Sequence, residues 1–108
     1  MEFTALEVWI VRTAIAQSAA GSVAEMMARG RLLEMMEFTD EEKAAIGWTG
    51  GDAPLFDSAA TITRPLTEKQ AAKLRGILCE MIPAFRIQIH AHVESALRKL
   101  GWSPAEDE

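Results

Sequence analysis

The first predicted helix, about residues 4–20, carries apolar side chains on nearly every side. It contains no Gly or Pro, and its alanines favour a helix over the strand that the β-branched run Val8 to Val11 indicates. A helix that is apolar all round either lies at the centre of a domain or is covered by a partner. If a partner covers the helix, Val8, Val11 and Ile15 form the candidate dimer face.

A capping box opens the second predicted helix, where Ser22 is followed by Glu25. In this motif the hydroxyl and the carboxylate satisfy free amides at a helix start. The helix runs to about Met36 and contains Gly30, which costs about 1 kcal/mol relative to alanine. Close packing against another helix would explain the glycine. The residues expected to point inward are Val23, Met26, Met27, Leu33 and Met36.

Methionine is concentrated in this second helix, which holds Met26, Met27, Met35 and Met36. Methionine fills irregular gaps in cores and also recurs on adaptable binding surfaces, and the core interpretation is the commoner one. However, the apolar groups lie on more than one side of this helix, next to a first helix that is apolar all round. This combination predicts a helix-mediated homodimer.

Two more capping boxes, Thr39 with Glu42 and Thr67 with Gln70, begin the third and fourth predicted helices. The third helix is short and ends at Gly47, a residue type that is common where a helix ends in a left-handed conformation. The fourth helix is expected to bury Ala71, Leu74, Leu78 and Met81.

The connection between these two helices carries loop and strand signals. Its first part, 47–57, is rich in Gly, Pro and Asp, which predicts a loop. Its second part, 58–64, is short and β-branched, and Pro65 keeps Arg64 out of helical geometry. We therefore predict an extended segment over 58–64.

The last segment permits two interpretations. Residues 85–93 alternate between apolar and polar positions, which is a strand signal. Over a longer window, apolar residues recur at helical spacing, and Arg98 and Lys99 before Gly101 suit the C-terminus of a helix. We therefore predict a helix over 83–100.

These elements predict an all-α fold, a single-domain bundle of four to five helices with one short extended segment. The helical domain is expected to cover 1–102, and 103–108 is expected to form a frayed polar tail. With 108 residues, 49% of them hydrophobic, the chain is neither a multidomain enzyme nor an intrinsically disordered protein.

Cysteine content and hydropathy predict a cytoplasmic protein. Cys79 is the only cysteine, so no intramolecular disulfide can form, and a lone thiol suits a reducing compartment. The N-terminus lacks the basic region of a signal peptide, and no apolar run approaches the roughly 20 residues of a membrane span. We therefore expect no membrane partner.

The candidate chemical groups predict a protein that is not an enzyme and that binds no metal or cofactor. His90 and His92 point about 200° apart on a helix, and on a strand they lack the further ligands that zinc needs. Cys79 has no catalytic signature and is expected to be a half-buried structural thiol. The carboxylates Asp40 to Glu42 suit the positive end of a helix dipole. No residue is therefore assigned a catalytic role.

Aromatic and apolar residues of the 47–57 loop form a candidate partner-docking patch of Trp48, Leu55 and Phe56. Large aromatic side chains are frequent hot spots of protein interfaces. The commoner alternative is that the same side chains cover the core of their own domain, as isolated apolar residues near a surface often do.

Contact with DNA is the main alternative to protein interaction. The stretch 39–47 resembles the first helix and glycine turn of a helix-turn-helix, but the Gly- and Pro-containing sequence behind it suits no recognition helix. A basic stripe of Lys69, Lys73, Arg75 and Arg86 offers phosphate contacts, whereas a net charge of −5 disfavours nucleic-acid binding. A third hypothesis is a small-molecule pocket lined by Met and Trp residues.

The layout also resembles that of small uncharacterised helical proteins encoded by phages and prophages. The resemblance rests on the apolar first helix, Thr-Asp-Glu-Glu-Lys at 39–43, Pro-Leu-Thr-Glu-Lys-Gln at 65–70 and Lys-Leu-Gly-Trp at 99–102. It covers most of the chain as a pattern and implies an accessory or host-takeover role without a defined active site. The sequence thus predicts a non-enzymatic protein-interaction or assembly module, with a small DNA-contacting transcription-type regulator as the alternative.

Overall fold

The computed structural model describes residues 1–50 and 55–103, which form five α-helices and one two-stranded sheet. Strand β1 (Glu2–Thr4) pairs antiparallel with β2 (Thr61–Thr63). The small, mostly α single domain that the sequence pattern predicts is confirmed. The helices are α1 (Ala5–Gln17), α2 (Val23–Met36), α3 (Asp40–Ile46), α4 (Glu68–Glu80) and α5 (His90–Lys99).

Helix α1 lies at the centre of the domain. Its first turn is closed by a capping box, in which the Thr4 hydroxyl accepts from the Glu7 amide and the Glu7 carboxylate accepts from the Thr4 amide. Helices α2, α4 and α5 and strand β2 all contact it. Its buried side chains therefore form the middle of one core, to which the later helices add Leu74, Leu78 and Leu97.

The small sheet joins the N-terminus to the middle of the chain. Phe3 pairs with Ile62, and both side chains are buried. The Met1 ammonium donates to the Arg64 carbonyl at 3.1 Å, and the Arg64 amide donates to the Met1 carbonyl at 2.9 Å. The predicted extended segment thus contains β2, whereas β1 was not predicted because three residues are too few to show alternation.

The predicted helix starts are largely confirmed. The boxes at Thr39 and Thr67 form both of their reciprocal hydrogen bonds, and Gly47 has a left-handed conformation with φ 71°. The box at Ser22 is only half formed. Its hydroxyl accepts from the Glu25 amide at 3.1 Å, whereas the Glu25 carboxylate binds side chains outside the cap.

The predicted helix over 83–100 is wrong in its first part. Ile82–Ala84 and Ile87–Ile89 form separate 3₁₀ turns, and α5 begins only at His90. The predicted boundary before residue 83 is confirmed, because Pro83 has no amide to donate and its ring clashes with a preceding helical turn, so that α4 ends at Glu80. Phe85 and Arg86, both with ψ 144°, are extended and separate the two turns.

The predicted end of the last helix is confirmed. Gly101 has φ 99°, which a side chain would rarely permit, and the chain reverses there. The Trp102 amide then donates to the Leu97 carbonyl at 2.9 Å, which returns Trp102 to the side of α5. Of the predicted tail 103–108, only Ser103 is among the described residues, and it is half-buried.

Candidate functional site

An exposed apolar face runs along the N-terminal half of α2. Val23 is 70% exposed, Met26 is 59% exposed and Met27 is 54% exposed. Gly30 lies one turn further along, and no described neighbour comes within 4 Å of the position that a Cβ atom would take. We call these four residues the α2 face.

The expectation that Val23, Met26 and Met27 point inward is wrong. Of the five residues expected to point inward, Met36 is buried and Leu33 is partly buried, and helix α2 also buries Leu32. Nine positions separate Val23 from Leu32, and likewise Met27 from Met36, so at about 100° per residue the members of each pair point in opposite directions. This angular separation is visible in the sequence and is the signal that could have identified the exposed face.

A depression of about 280 Å³ lies beside the α2 face, between α2 and the C-terminal end of α1. From α1, Ile15 and Ala16 line it, and from α2, Met26, Gly30 and Leu33 line it. Protruding side chains and a hollow therefore lie next to each other on one apolar surface.

Ion pairs hold the other side of α2 against α4. Glu25 accepts from Lys73 Nζ at 2.6 Å and from Arg29 Nε at 2.7 Å, and Arg29 also reaches Glu80 at 3.2 Å. Hydrogen bonds from Lys73 and then Arg29 hold the pKa of Glu25 below its ordinary value, and the bond to Glu25 raises the pKa of Arg29. These contacts fix the rotation of α2, and its apolar face remains on the outside.

The predicted dimer face lies inside the protein. Val8 is 0% exposed, Val11 1% and Ile15 4%, because α1 is surrounded by other elements. Ile15 borders the depression beside α2 but is itself buried. As core residues, the three side chains present no face to a second copy of the chain.

The predicted docking residues Trp48 and Phe56 stack on each other with ring centroids 5.4 Å apart. Trp48 also packs against Phe38 at 5.1 Å and against Trp9 at 5.7 Å. The structure thus brings the two predicted aromatic residues together as a cover over one end of the core. Leu55 differs from them, because it is 73% exposed.

Glu7 is a buried carboxylate that composition and periodicity did not single out. It is 1% exposed, and its Oε1 accepts from the Thr4 amide at 2.6 Å and from Lys99 Nζ at 2.5 Å. Burial raises the pKa of Glu7, but Lys99, Ser95 and the Thr4 amide outweigh burial, so the pKa is lowered overall. The group is an ionised structural partner of Lys99. Its position three residues after Thr4 is the capping-box signal that could have identified it.

Arg64 is also buried, and it binds the start of α3. Its guanidinium makes two 2.6 Å hydrogen bonds to the Glu42 carboxylate and donates to the Glu37 carbonyl at 2.9 Å. The hydrogen bond from Arg64 is the main reason why the pKa of Glu42 is lowered. The acidic run at the start of α3 therefore joins this helix to the chain after β2 as well as complementing the helix dipole.

The remaining candidate chemical groups lie near the surface. His90 and His92 are exposed on α5, and Cys79 is exposed on α4, so the expectation of a half-buried thiol is wrong. In the part of the chain that the structure describes, no three or more His, Cys, Asp or Glu side chains are arranged to hold a metal ion.

A groove of about 540 Å³ opens at the C-terminal end of α4. Apolar side chains of α4, the first 3₁₀ turn and α5 make most of its lining, with Trp102 at one side. Arg86, His90 and Glu94 supply polar groups. The groove has the tryptophan that the small-molecule hypothesis expects, but its lining contains no methionine.

The predicted basic stripe is divided by contacts within the chain. Lys73 pairs with Glu25, and Arg75 donates to the Gly101 carbonyl at 3.0 Å. Arg86 lies beyond the end of α4, between the two 3₁₀ turns, and so is not on the same helix as Lys69. The four cations therefore do not line one free helix face.

The chain matches no protein-family model, no curated protein and no solved structure. Among residues 1–50 and 55–103, no helix has the length and apolar character needed to cross a bilayer.

Proposed function

We propose that the protein is a non-enzymatic protein-interaction module that forms a homodimer through the α2 face. The observation that carries this proposal is the exposure of Val23, Met26 and Met27 on a helix whose other side is held by core contacts and ion pairs. Contiguous apolar patches on monomeric proteins commonly mark interaction sites. Because these contacts fix the rotation of α2, the three side chains cannot turn toward the core of their own domain.

A second copy of the same face is the occupant that best fits its shape. In a two-fold symmetric contact, a protruding group on one copy needs a hollow on the same surface of the other copy. The α2 face supplies the protruding side chains, and the adjoining depression of about 280 Å³ supplies the hollow.

Gly30 fits an antiparallel crossing of two α2 helices. With the two-fold axis between Met26 and Met27, Val23 of one copy lies opposite Gly30 of the other. The space around Gly30 is open within the chain, so it can accept the valine side chain. This crossing gives Gly30 the close helix packing that its own chain does not provide.

The charged residues of α2 do not oppose this crossing. Arg31 and Glu34 follow the α2 face toward the C-terminal end of the helix. In the antiparallel crossing Arg31 lies opposite Ser22, the N-cap of the partner's α2, and Glu34 extends beyond the start of that helix, so like charges do not meet on the paired helices. The contact then has an apolar centre and a polar rim, as protein interfaces commonly have.

The size of the face sets the strength of the dimer. Stable interfaces bury about 800 Å² on each partner. Three exposed side chains and their small neighbours supply less than this. We therefore expect a weak homodimer with a dissociation constant on the order of 10 μM or above.

Sedimentation equilibrium over low to high micromolar concentrations tests this proposal. We expect the wild-type protein to shift from monomer to dimer, and Met27→Glu to remain monomeric because it buries an unpaired carboxylate in the contact. Ile87→Glu is the matched control, since Ile87 is 80% exposed on a 3₁₀ turn away from α2 and its change should leave the dimer intact.

Three outcomes would contradict the proposal. One is a wild-type protein that stays monomeric throughout the concentration range. Another is a Met27→Glu variant that dimerises as strongly as the wild type. The third is loss of the dimer in Ile87→Glu as well, which would move the contact away from α2.

The alternative of a small DNA-contacting regulator has less support. Lys73 and Arg75 of the basic stripe are engaged within the chain, and the net charge is −5. The accessory role implied by the phage resemblance stays a prediction.

A further inference from the structure

We infer that the groove at the C-terminal end of α4 binds an apolar monocarboxylate, whose chain lies in the groove and whose carboxylate is held by Arg86. This inference concerns a site on a different part of the molecule from the α2 face and does not depend on dimer formation. It rests on the size of the groove, its apolar lining and the charges at its rim.

The groove has the size and lining of a small-molecule site. Its volume of about 540 Å³ falls within the roughly 300–1,000 Å³ that ligand pockets occupy. Ile82 and Phe85 contribute from the segment after α4, Val93 and Leu97 contribute from α5, and Trp102 adds an aromatic ring. Such a surface favours a hydrocarbon chain or an aromatic ring over a polar ligand.

The walls of the groove are held in place by local backbone constraints. Pro83 fixes the turn that follows α4, and the left-handed Gly101 returns the chain so that Trp102 packs beside α5. Arg98 lies over the Trp102 ring at 5.7 Å and further restrains it. A site whose walls are already ordered loses less entropy when a ligand binds.

The charges at the rim favour an anion. Glu94 borders the groove, but it is paired with Arg98 at 3.2 Å. Arg86 also borders the groove, and its guanidinium makes no ion pair or side-chain hydrogen bond with the residues that the structure describes. A planar guanidinium with which no described carboxylate pairs matches the carboxylate of a ligand, which it can bind through two parallel hydrogen bonds.

Isothermal titration calorimetry with octanoate and decanoate below their micelle-forming concentrations, and with decanol below its solubility limit, tests both parts of the ligand. We expect one site per chain, with affinity rising about fourfold for each added methylene because each is buried in the groove. Decanoate should bind about tenfold more tightly than decanol, because only the acid offers a charged partner to Arg86.

Two exposed positions supply variants that should not affect folding. Arg86→Gln should reduce the affinity for decanoate about tenfold, to that for decanol. Lys69→Gln removes another exposed cation, which lies outside the groove, and should leave the affinity unchanged. Cys79 borders the groove and is exposed, so saturating decanoate should slow its alkylation by iodoacetamide.

The inference would be overturned by any of four results. The first is no binding of decanoate, and the second is equal affinity for decanoate and decanol. The third is an Arg86→Gln variant that binds decanoate as tightly as the wild type. Binding that leaves the alkylation rate of Cys79 unchanged would likewise place the ligand outside the groove.

Discussion

Helices α1 and α2 are nearly equal in length, with 13 and 14 residues, and both carry apolar side chains on more than one side. The protein uses them in opposite ways. Helix α1 is buried on all but a narrow strip, and even its Glu7 is enclosed. Helix α2 buries Leu32 and Met36 and exposes Val23 and its two neighbouring methionines.

The difference shows that apolar side chains occur on more than one side of a helix for two distinct reasons. In α1 the cause is position, because three helices and both strands of the sheet contact it. In α2 one side packs on the core, and the opposite side has no cover among the described residues of the same chain. Removing an apolar side chain from α1 should therefore reduce the stability of the fold. Removing one from the exposed side of α2 should instead reduce association between copies of the chain.

The largest effect should distinguish two valines. Val8→Ala removes two methyl groups from a fully buried site in α1, and we expect the free energy of unfolding to fall by about 2 kcal/mol. Val23→Ala makes the same chemical change at a 70% exposed site in α2 and should change it by less than about 0.5 kcal/mol. Urea denaturation at a concentration where the protein is monomeric measures both.

Similar losses for the two valines would contradict this comparison. A stable Val8→Ala protein would mean that α1 is not the central helix. A strongly destabilised Val23→Ala monomer would mean that the first turn of α2 is covered within the chain.

A smaller effect should distinguish two glutamates, one in each helix. Glu7 is buried and its folded-state pKa lies below the ordinary value of 4.5. The unfolded chain therefore binds protons more readily, so the stability that Glu7 contributes is fully present above about pH 4.5. It is lost as the pH falls through the lower folded-state pKa.

Replacing Glu7 should therefore flatten the acid side of the stability profile. Glu7→Gln leaves Lys99 without its buried partner, and we expect about 1.5 kcal/mol of destabilisation at neutral pH. Glu25→Gln in α2 changes a carboxylate whose pKa is also lowered, but solvent screens that site, so its effect should be smaller. Denaturation between pH 2 and 7 checks both, and an unchanged acid slope in Glu7→Gln would be inconsistent with an ionised buried group.

The smallest effect should come from two helical glycines. Gly30 in α2 and Gly76 in α4 both have open space where a Cβ would stand. Alanine at either position should stabilise the monomer by about 0.5–1 kcal/mol, because it restricts the unfolded chain and favours the helix. Only Gly30→Ala should weaken the dimer, since only Gly30 receives a side chain from the partner. Equal dimer affinity in the two variants would remove Gly30 from the interface.

Most of the fold could be predicted from local signals. The capping boxes at Thr39 and Thr67 and the glycines at 47 and 101 identify helix ends, because the hydrogen bonds that they supply involve residues close in sequence. The end of α4 before Pro83 was predicted, whereas strand β1 and the non-helical segment between Pro83 and His90 were missed. Strand β1 depends on a partner some sixty residues away, and in the non-helical segment Ile82, Phe85 and Ile89 recur at the same helical spacing as the apolar residues of α5.

The candidate site was predicted less well, because burial depends on tertiary neighbours. The sequence identified two helices whose apolar residues exceed what one core-facing side requires, but it assigned the dimer face to Val8 and its neighbours in α1. Which helix becomes central is decided by the later elements that pack on it. Helical geometry alone does separate Val23 from Leu32, so the existence of an outer apolar stripe on α2 was available from the sequence.

The central claim is that α1 is the core helix and α2 the association helix. Amide chemical shifts of the ¹⁵N-labelled protein in a dilution series test it most directly. We expect concentration-dependent shifts between Val23 and Gly30, while the α1 amides keep their shifts and exchange slowly with solvent. Concentration-dependent shifts centred on α1, or none on α2 at the highest concentration, would contradict the account.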